Sequence, residues 1–143
     1  MAGKHAERRV EAVLDKETLL RQCEVYFARL SEVRLALLFG SIAGGQFNEH
    51  SDVDIAIDGS FSLEDLLTMQ RDLSVLCKRE IDIIDLKKAE GIILHRIMTK
   101  GLRIKNDAGL FVHYLKKALY YREDFYPLQK IVQDNTIRRF ING

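Results

Sequence analysis

An α/β domain is predicted by three features of the chain. Apolar residues recur at three- and four-residue steps in several segments, four short runs read as strands, and the two kinds of segment alternate from about residue 15 onward. With 143 residues, the chain is long enough for one domain whose core needs no disulfide or metal staple. No internal repeat, low-complexity tract or linker divides it. A single domain over 1–143 is therefore expected, with a core at about 15–106 and a helical segment at 107–143.

The elements follow in order. Residues 1–14 are charged, with Val10, Val13 and Leu14 as their only apolar anchors. From Asp15, an N-cap candidate, Leu19, Leu20, Cys23, Phe27 and Leu30 mark an amphipathic helix. Leu35 to Phe39 is an unbroken apolar run closed by Gly40, the pattern of a strand covered on both faces. Ile42 to Gly45 holds too much glycine for a long helix and predicts one or two turns, and Asn48 to Ser51 supplies turn chemistry. Asp52 to Asp58 alternates strictly, with Val53, Ile55 and Ile57 on one face and Asp52, Asp54, Ala56 and Asp58 on the other, which predicts a strand with one packed face.

Ser62 and Asp65 form a capping-box signature ahead of a second amphipathic helix that runs to about Cys77. Glu80 to Leu86 is a third strand, Leu86 to Ile97 a helix with Gly91 near its start, and Gly101 to Lys105 a fourth short strand. Asp107 can cap a further helix through Tyr114 to about Glu123. Pro127 breaks the chain before a final helical pattern at Leu128, Ile131, Val132 and Ile137.

Composition narrows the function classes. Lys plus Arg (22) balance Asp plus Glu (21), so there is no basic excess to neutralise a run of phosphates and stable nucleic-acid binding is not expected. Cys23 and Cys77 lie in helical segments without zinc-ligand spacing and read as free buried thiols of a reducing compartment. With no apolar run of membrane-spanning length and no signal-peptide pattern, the protein is expected in the cytoplasm.

The stretch that carries chemistry is GSIAGGQFNEHSDVD, Gly40 to Asp54. Residues i and i+2 of a strand share a face and lie roughly 6.5–7 Å apart, so Asp52 and Asp54 present two carboxylates to one side. Magnesium takes one or two carboxylates together with substrate phosphates, and such a pair is its protein share. Alone, the pair reads rather as the wet face of an edge strand, and Gly40-Ser41 as a tight strand exit. Gly40, however, leaves room for a phosphate to approach the backbone, and Ser41 adds a hydroxyl donor. Asp82 strengthens the site reading: it is flanked by Ile81 and Ile83 and shares its face with Ile84 and Leu86, where a carboxylate is costly unless paired or metal-bound. Asp85, at the strand end, reads as an N-cap.

These residues resemble a known family. GSIAGGQFNEHSDVD is similar to the GSx10DxD signature of the DNA polymerase β-like nucleotidyltransferases, and EIDIIDL resembles the strand bearing their third carboxylate. The size resembles the minimal, MntA-type nucleotidyltransferases encoded beside HEPN toxins. The resemblance implies a small mixed sheet of about four strands with helices packed mainly on one face. It implies that Asp52, Asp54 and Asp82 are catalytic and hold two magnesium ions, and that Gly40 and Ser41 bind the β- and γ-phosphates of a nucleoside triphosphate. It further implies transfer of AMP from ATP to a protein partner, a HEPN toxin neutralised by this chain as antitoxin.

The sequence departs from that pattern at Gly44, where many minimal members carry arginine. Lys100, Arg103 and Lys105 are candidates to supply the missing charge. Gly44 also motivates an alternative, a catalytically weak antitoxin that neutralises by contact. A third reading, transfer to an aminoglycoside-type small molecule, would need an acceptor pocket built by homodimerisation. His50, in the loop before Asp52, reads as a solvated histidine. Tyr114, Tyr120, Tyr121, Phe125 and Tyr126 read mainly as packing residues, and Lys116, Lys117, Arg138 and Arg139 as solvated faces.

Overall fold

A computed structural model describes residues 14–120. The expected helix after Pro127 lies outside the described residues, as do Tyr121, Phe125, Tyr126, Arg138 and Arg139. The chain forms α1 (Lys16–Ala28), β1 (Val33–Phe39), the short α2 (Ser41–Gly44), β2 (Val53–Gly59), α3 (Leu63–Cys77), β3 (Ile81–Asp85), a 3-10 turn (Leu86–Lys88), α4 (Gly91–Lys100), β4 (Leu102–Lys105) and α5 (Ala108–Tyr120). The strands form one sheet in the order β3-β2-β1-β4. β1 pairs antiparallel with β2 and β4, and β2 pairs parallel with β3 across the α3 crossover, so the sheet is mixed as expected.

The local signals act where the sequence places them. Asp15 caps α1 by accepting from the Thr18 N–H at 2.7 Å, and this contact holds its carboxyl below the ordinary carboxylate range. Ser62 and Asp65 close a reciprocal capping box on α3. Asp107 accepts from Leu110 N–H at the start of α5. Asp85 caps the 3-10 turn through Lys87 N–H, so the segment expected as one helix from Leu86 is divided into that turn and α4, which begins at Gly91 with φ +61°.

The helices are shared between the two faces of the sheet, a departure from the expected one-sided packing. Leu19, Cys23 and Phe27 of α1 and Met69, Leu73 and Cys77 of α3 cover Ala36, Leu38, Val53, Ile55 and Ile57. Leu94, Ile97 and Met98 of α4 and Tyr114 and Ala118 of α5 cover Leu35, Leu37 and Ala56. The unbroken apolar run of β1 already reflects this, because a central strand clothed on both sides has no wet face. Cys23 and Cys77 are free, buried, and meet between α1 and α3; a hydrogen bond shared with Cys77, reinforced by burial, pushes the Cys23 thiol up. Among the described residues no helix is long and apolar enough to cross a membrane.

The second helical layer corrects the reading of β2. Its alternation predicts one wet face, yet Ala56 and Asp58 are buried under α5, Asp58 with 3% of its surface exposed. The Tyr114 hydroxyl donates to the Asp58 carboxylate, and no buried polar side chain among the described residues lacks a partner. Burial first, then the bond to Asp58, raises the Tyr114 phenol well above its usual range. Tyr114→Phe removes that donor and leaves a buried carboxylate short of a partner. The expected loss is about 1–3 kcal/mol, measurable by urea unfolding, with nucleotide binding unchanged.

Candidate active site

Strand pairing assembles the site. Phe39 of β1 lies opposite Asp54 of β2, and Asp54 lies in register with Asp82 of β3. Gly40, Asp54 and Asp82 therefore share one end of the sheet across three adjacent strands, which are spaced about 4.8 Å apart. Asp52 immediately precedes β2 at the same end. Asp54 is half-buried, and Asp52 and Asp82 are exposed. Burial, then the charge of Asp82, then that of Asp52 raises the Asp54 pKa, so the three carboxylates feel one another as a cluster of like charge.

The exposure of Asp82 corrects the reason it drew attention. As part of an edge strand it faces solvent and needs no compensation for burial. Its register with Asp54, which its apolar neighbours could not reveal, is what joins it to the site.

Gly40 couples the turn to the strand. Its backbone has φ +82° and ψ −146°, and a Cβ there would meet Asp54 Oδ2 at 2.5 Å. Only glycine combines that conformation with that approach. α2 follows at once, anchored by buried Ile42, and Gly40 contributes no side-chain cap to its first turn. The loop returning to β2 is clamped by Arg79, whose guanidinium donates to Asn48 O (2.7 Å) and Ser51 O (2.8 Å) and lies 4.2 Å over the Phe47 ring. Arg79 is a fixing point that no motif signalled.

A cleft of about 630 Å³ opens on this end of the sheet, in the range of small-molecule sites. Gly40, Ser41, Gly44 and Asp54 line one wall, and residues of α4 line the other, among them Arg96 and Lys100. Of the three cations considered from sequence, Lys100 alone reaches the cleft. Lys105 donates to Phe27 O and Leu30 O at 2.8 Å each, and Arg103 lies over the Phe111 ring at 4.2 Å. Arg96 went unnoticed, because it sits on a helix remote in sequence from the motif. His50 is exposed, 3.6 Å from the Glu49 carboxylate, and does not line the cleft.

The donor set suits magnesium: the carboxylates are hard oxygen ligands gathered at one sheet end, and their mutual repulsion favours a cation between them. Among the described residues no group of three or more His, Cys, Asp or Glu is placed to hold a metal ion by itself, so substrate phosphates would have to supply part of the coordination.

Such a site, a carboxylate cluster beside a glycine–serine turn on a mixed sheet, is the arrangement of nucleotidyl-transfer enzymes. A profile of the "Polymerase beta, Nucleotidyltransferase" family matches residues 21–108, more than half of the chain, and the protein belongs to that family. Among individual proteins, it is 25% identical over 110 residues to the protein adenylyltransferase MntA of Shewanella oneidensis, covering 73% of this chain and 78% of that one. Its fold is similar to that of a crystallised toxin-antitoxin with AMP-PNP, at TM-score 0.60 and 20% identity over 90% of this chain and 99% of the other. It is also similar to a chain from a tri-AMPylated Shewanella oneidensis HEPN toxin in complex with MNT antitoxin, at TM-score 0.59 and 15% identity over 89% and 99%.

Proposed function

We propose that the protein is a single-domain, magnesium-dependent adenylyltransferase of the cytoplasm that moves AMP from ATP onto a protein partner, a HEPN toxin for which it serves as antitoxin. The observation that carries the reading is the row Gly40–Asp54–Asp82, set by strand register, of which Gly40 and Asp54 line the cleft. The likeness to a protein adenylyltransferase supports the substrate class.

The roles follow from position. Gly40 leaves the backbone open to the β- and γ-phosphates, and the Ser41 hydroxyl donates to them. Asp52 and Asp54 would hold two magnesium ions, with Asp82 completing the set; bound there, the ions supply Lewis-acid stabilisation of the attacking and leaving oxygens. Asp82, exposed on the edge strand, would take the proton of the acceptor hydroxyl. As that oxygen bonds to the α-phosphorus in line, the bond to the pyrophosphate oxygen breaks and pyrophosphate leaves.

The test is incubation of the protein with magnesium, α-labelled ATP and its genomic neighbour. Label on the neighbour is expected; label found on a small acceptor and absent from the neighbour would reject the reading. Neutralisation by contact alone is the competing reading, favoured by the absence of any cation in the turn at Ser41–Gly44. It requires that the double variant Asp52→Ala/Asp54→Ala still neutralise the toxin.

A further inference from the structure

The cleft has two walls of unlike character. The wall formed by β1, α2 and β2 brings the Asp54 carboxylate and a turn without any cation. A triphosphate placed there adds its own negative charge to the carboxylates, and together they exceed what two divalent ions neutralise. Charge of the opposite sign has to come from elsewhere in the cleft.

α4 offers it. Arg96 and Lys100 stand one turn apart on the same helical face, both exposed and both lining the cleft. Among the described residues neither is in an ion pair, whereas the cations nearby are committed: Arg79 to the loop carbonyls, Lys105 to the end of α1, Lys87 to Gly59 O, and Arg103 to Phe111.

The sheet register also places this pair at the phosphate end. Leu102, two residues after Lys100, pairs with Leu38, two residues before Gly40, so the C-terminal end of α4 stands beside the exit of β1. At the other end of the helix the wall is apolar, with Ile92 and Ile93 exposed. Arg96 and Lys100 thus occupy the C-terminal half of α4, the half that ends beside the exit of β1.

We propose that Arg96 and Lys100 form the polyphosphate-binding wall of the site and hold the β- and γ-phosphates of the nucleoside triphosphate from the side opposite Gly40 and Ser41. The assignment rests on the nucleotide reading above and extends it to residues outside the motif. Arg96 suits a bidentate grip on phosphate oxygens, and Lys100 a point charge at the terminal phosphate.

The experiment is calorimetric titration of the full chain, with magnesium, against a non-hydrolysable ATP analogue, AMP and inorganic tripolyphosphate. Arg96→Gln and Lys100→Gln are each expected to raise the analogue's Kd about tenfold, and the double variant about a hundredfold. Tripolyphosphate binding should weaken in parallel, while AMP, which lacks the β- and γ-phosphates, should bind as before. Both side chains are exposed, so unchanged melting temperatures will show that the variants fold. A Cβ at Gly44 would meet nothing within 4 Å, so Gly44→Arg can set a cation into the facing wall; added to the double variant, it should recover at least part of the analogue's affinity. A double variant that binds the analogue as tightly as the unaltered protein overturns the assignment and leaves the nucleotide reading standing. Failure of the unaltered protein to bind the analogue at all would defeat the nucleotide reading, and this assignment with it.

Discussion

Asp54→Asn is expected to abolish nucleotidyl transfer and, in the metal-free protein, to raise the melting temperature. The loss of transfer should be roughly 10³-fold or more, about 4 kcal/mol of transition-state stabilisation, because Asp54 is the carboxylate that lines the cleft and touches the glycine turn. The gain in stability comes from the same cluster. Burial and the charges of Asp82 and Asp52 raise the Asp54 pKa above its unfolded value. The metal-free fold is thus favoured while Asp54 is protonated and loses that contribution as pH climbs through the raised value. Above that raised value the asparagine variant, which carries no such charge, is expected to melt at the higher temperature. Below the ordinary carboxylate range the two proteins should melt together. Magnesium should stabilise the unaltered protein more than the variant, since binding to the folded state alone raises its stability. Scanning calorimetry at two pH values, with and without magnesium, reads all of this, and a variant that keeps transfer would remove Asp54 from the chemistry.

Gly40→Ala should be nearly as damaging for a different reason, and Gly45→Ala provides its control. Both glycines have a positive φ, +82° and +83°, so alanine at either costs about 1–3 kcal/mol of backbone strain. They differ in what the new methyl meets: Asp54 Oδ2 at 2.5 Å from position 40, and nothing within 4 Å from position 45. Both variants should therefore melt at lower temperature. Only Gly40→Ala should displace the carboxylate and lower kcat/KM, by roughly a hundredfold. Equal activity in the two would mean that the approach of Gly40 to Asp54 is packing without catalytic consequence.

Much of the local structure was legible because its signals are local. Asp15, Ser62, Asp65 and Asp107 cap the helices they precede, and the apolar run at Leu35–Phe39 is a doubly covered strand. The Gly-Ser and Asp-x-Asp pieces were also legible, since ten intervening residues allow the antiparallel return from β1 to β2 that the sheet contains. What escaped depends on partners distant in the chain. Asp58 looks like a solvent residue until α5 lays Tyr114 over it. Asp82 looks buried among isoleucines until β3 proves to be an edge strand. Arg96 carries no motif and joins the site only because β4 returns alongside β1 and sets the end of α4 beside Gly40.

Asp82 is brought to Asp54 by the pairing of β2 with a five-residue edge strand and by nothing covalent nearby. On the outer side of that strand, the Gln70 side chain of α3 accepts the Ile83 N–H at 3.0 Å. A slip of one residue would turn Ile81 or Ile83 toward the face that carries Asp54 and point Asp82 the other way. Gln70 is therefore a register pin: by holding one amide of the edge strand, it keeps the third carboxylate on the correct face.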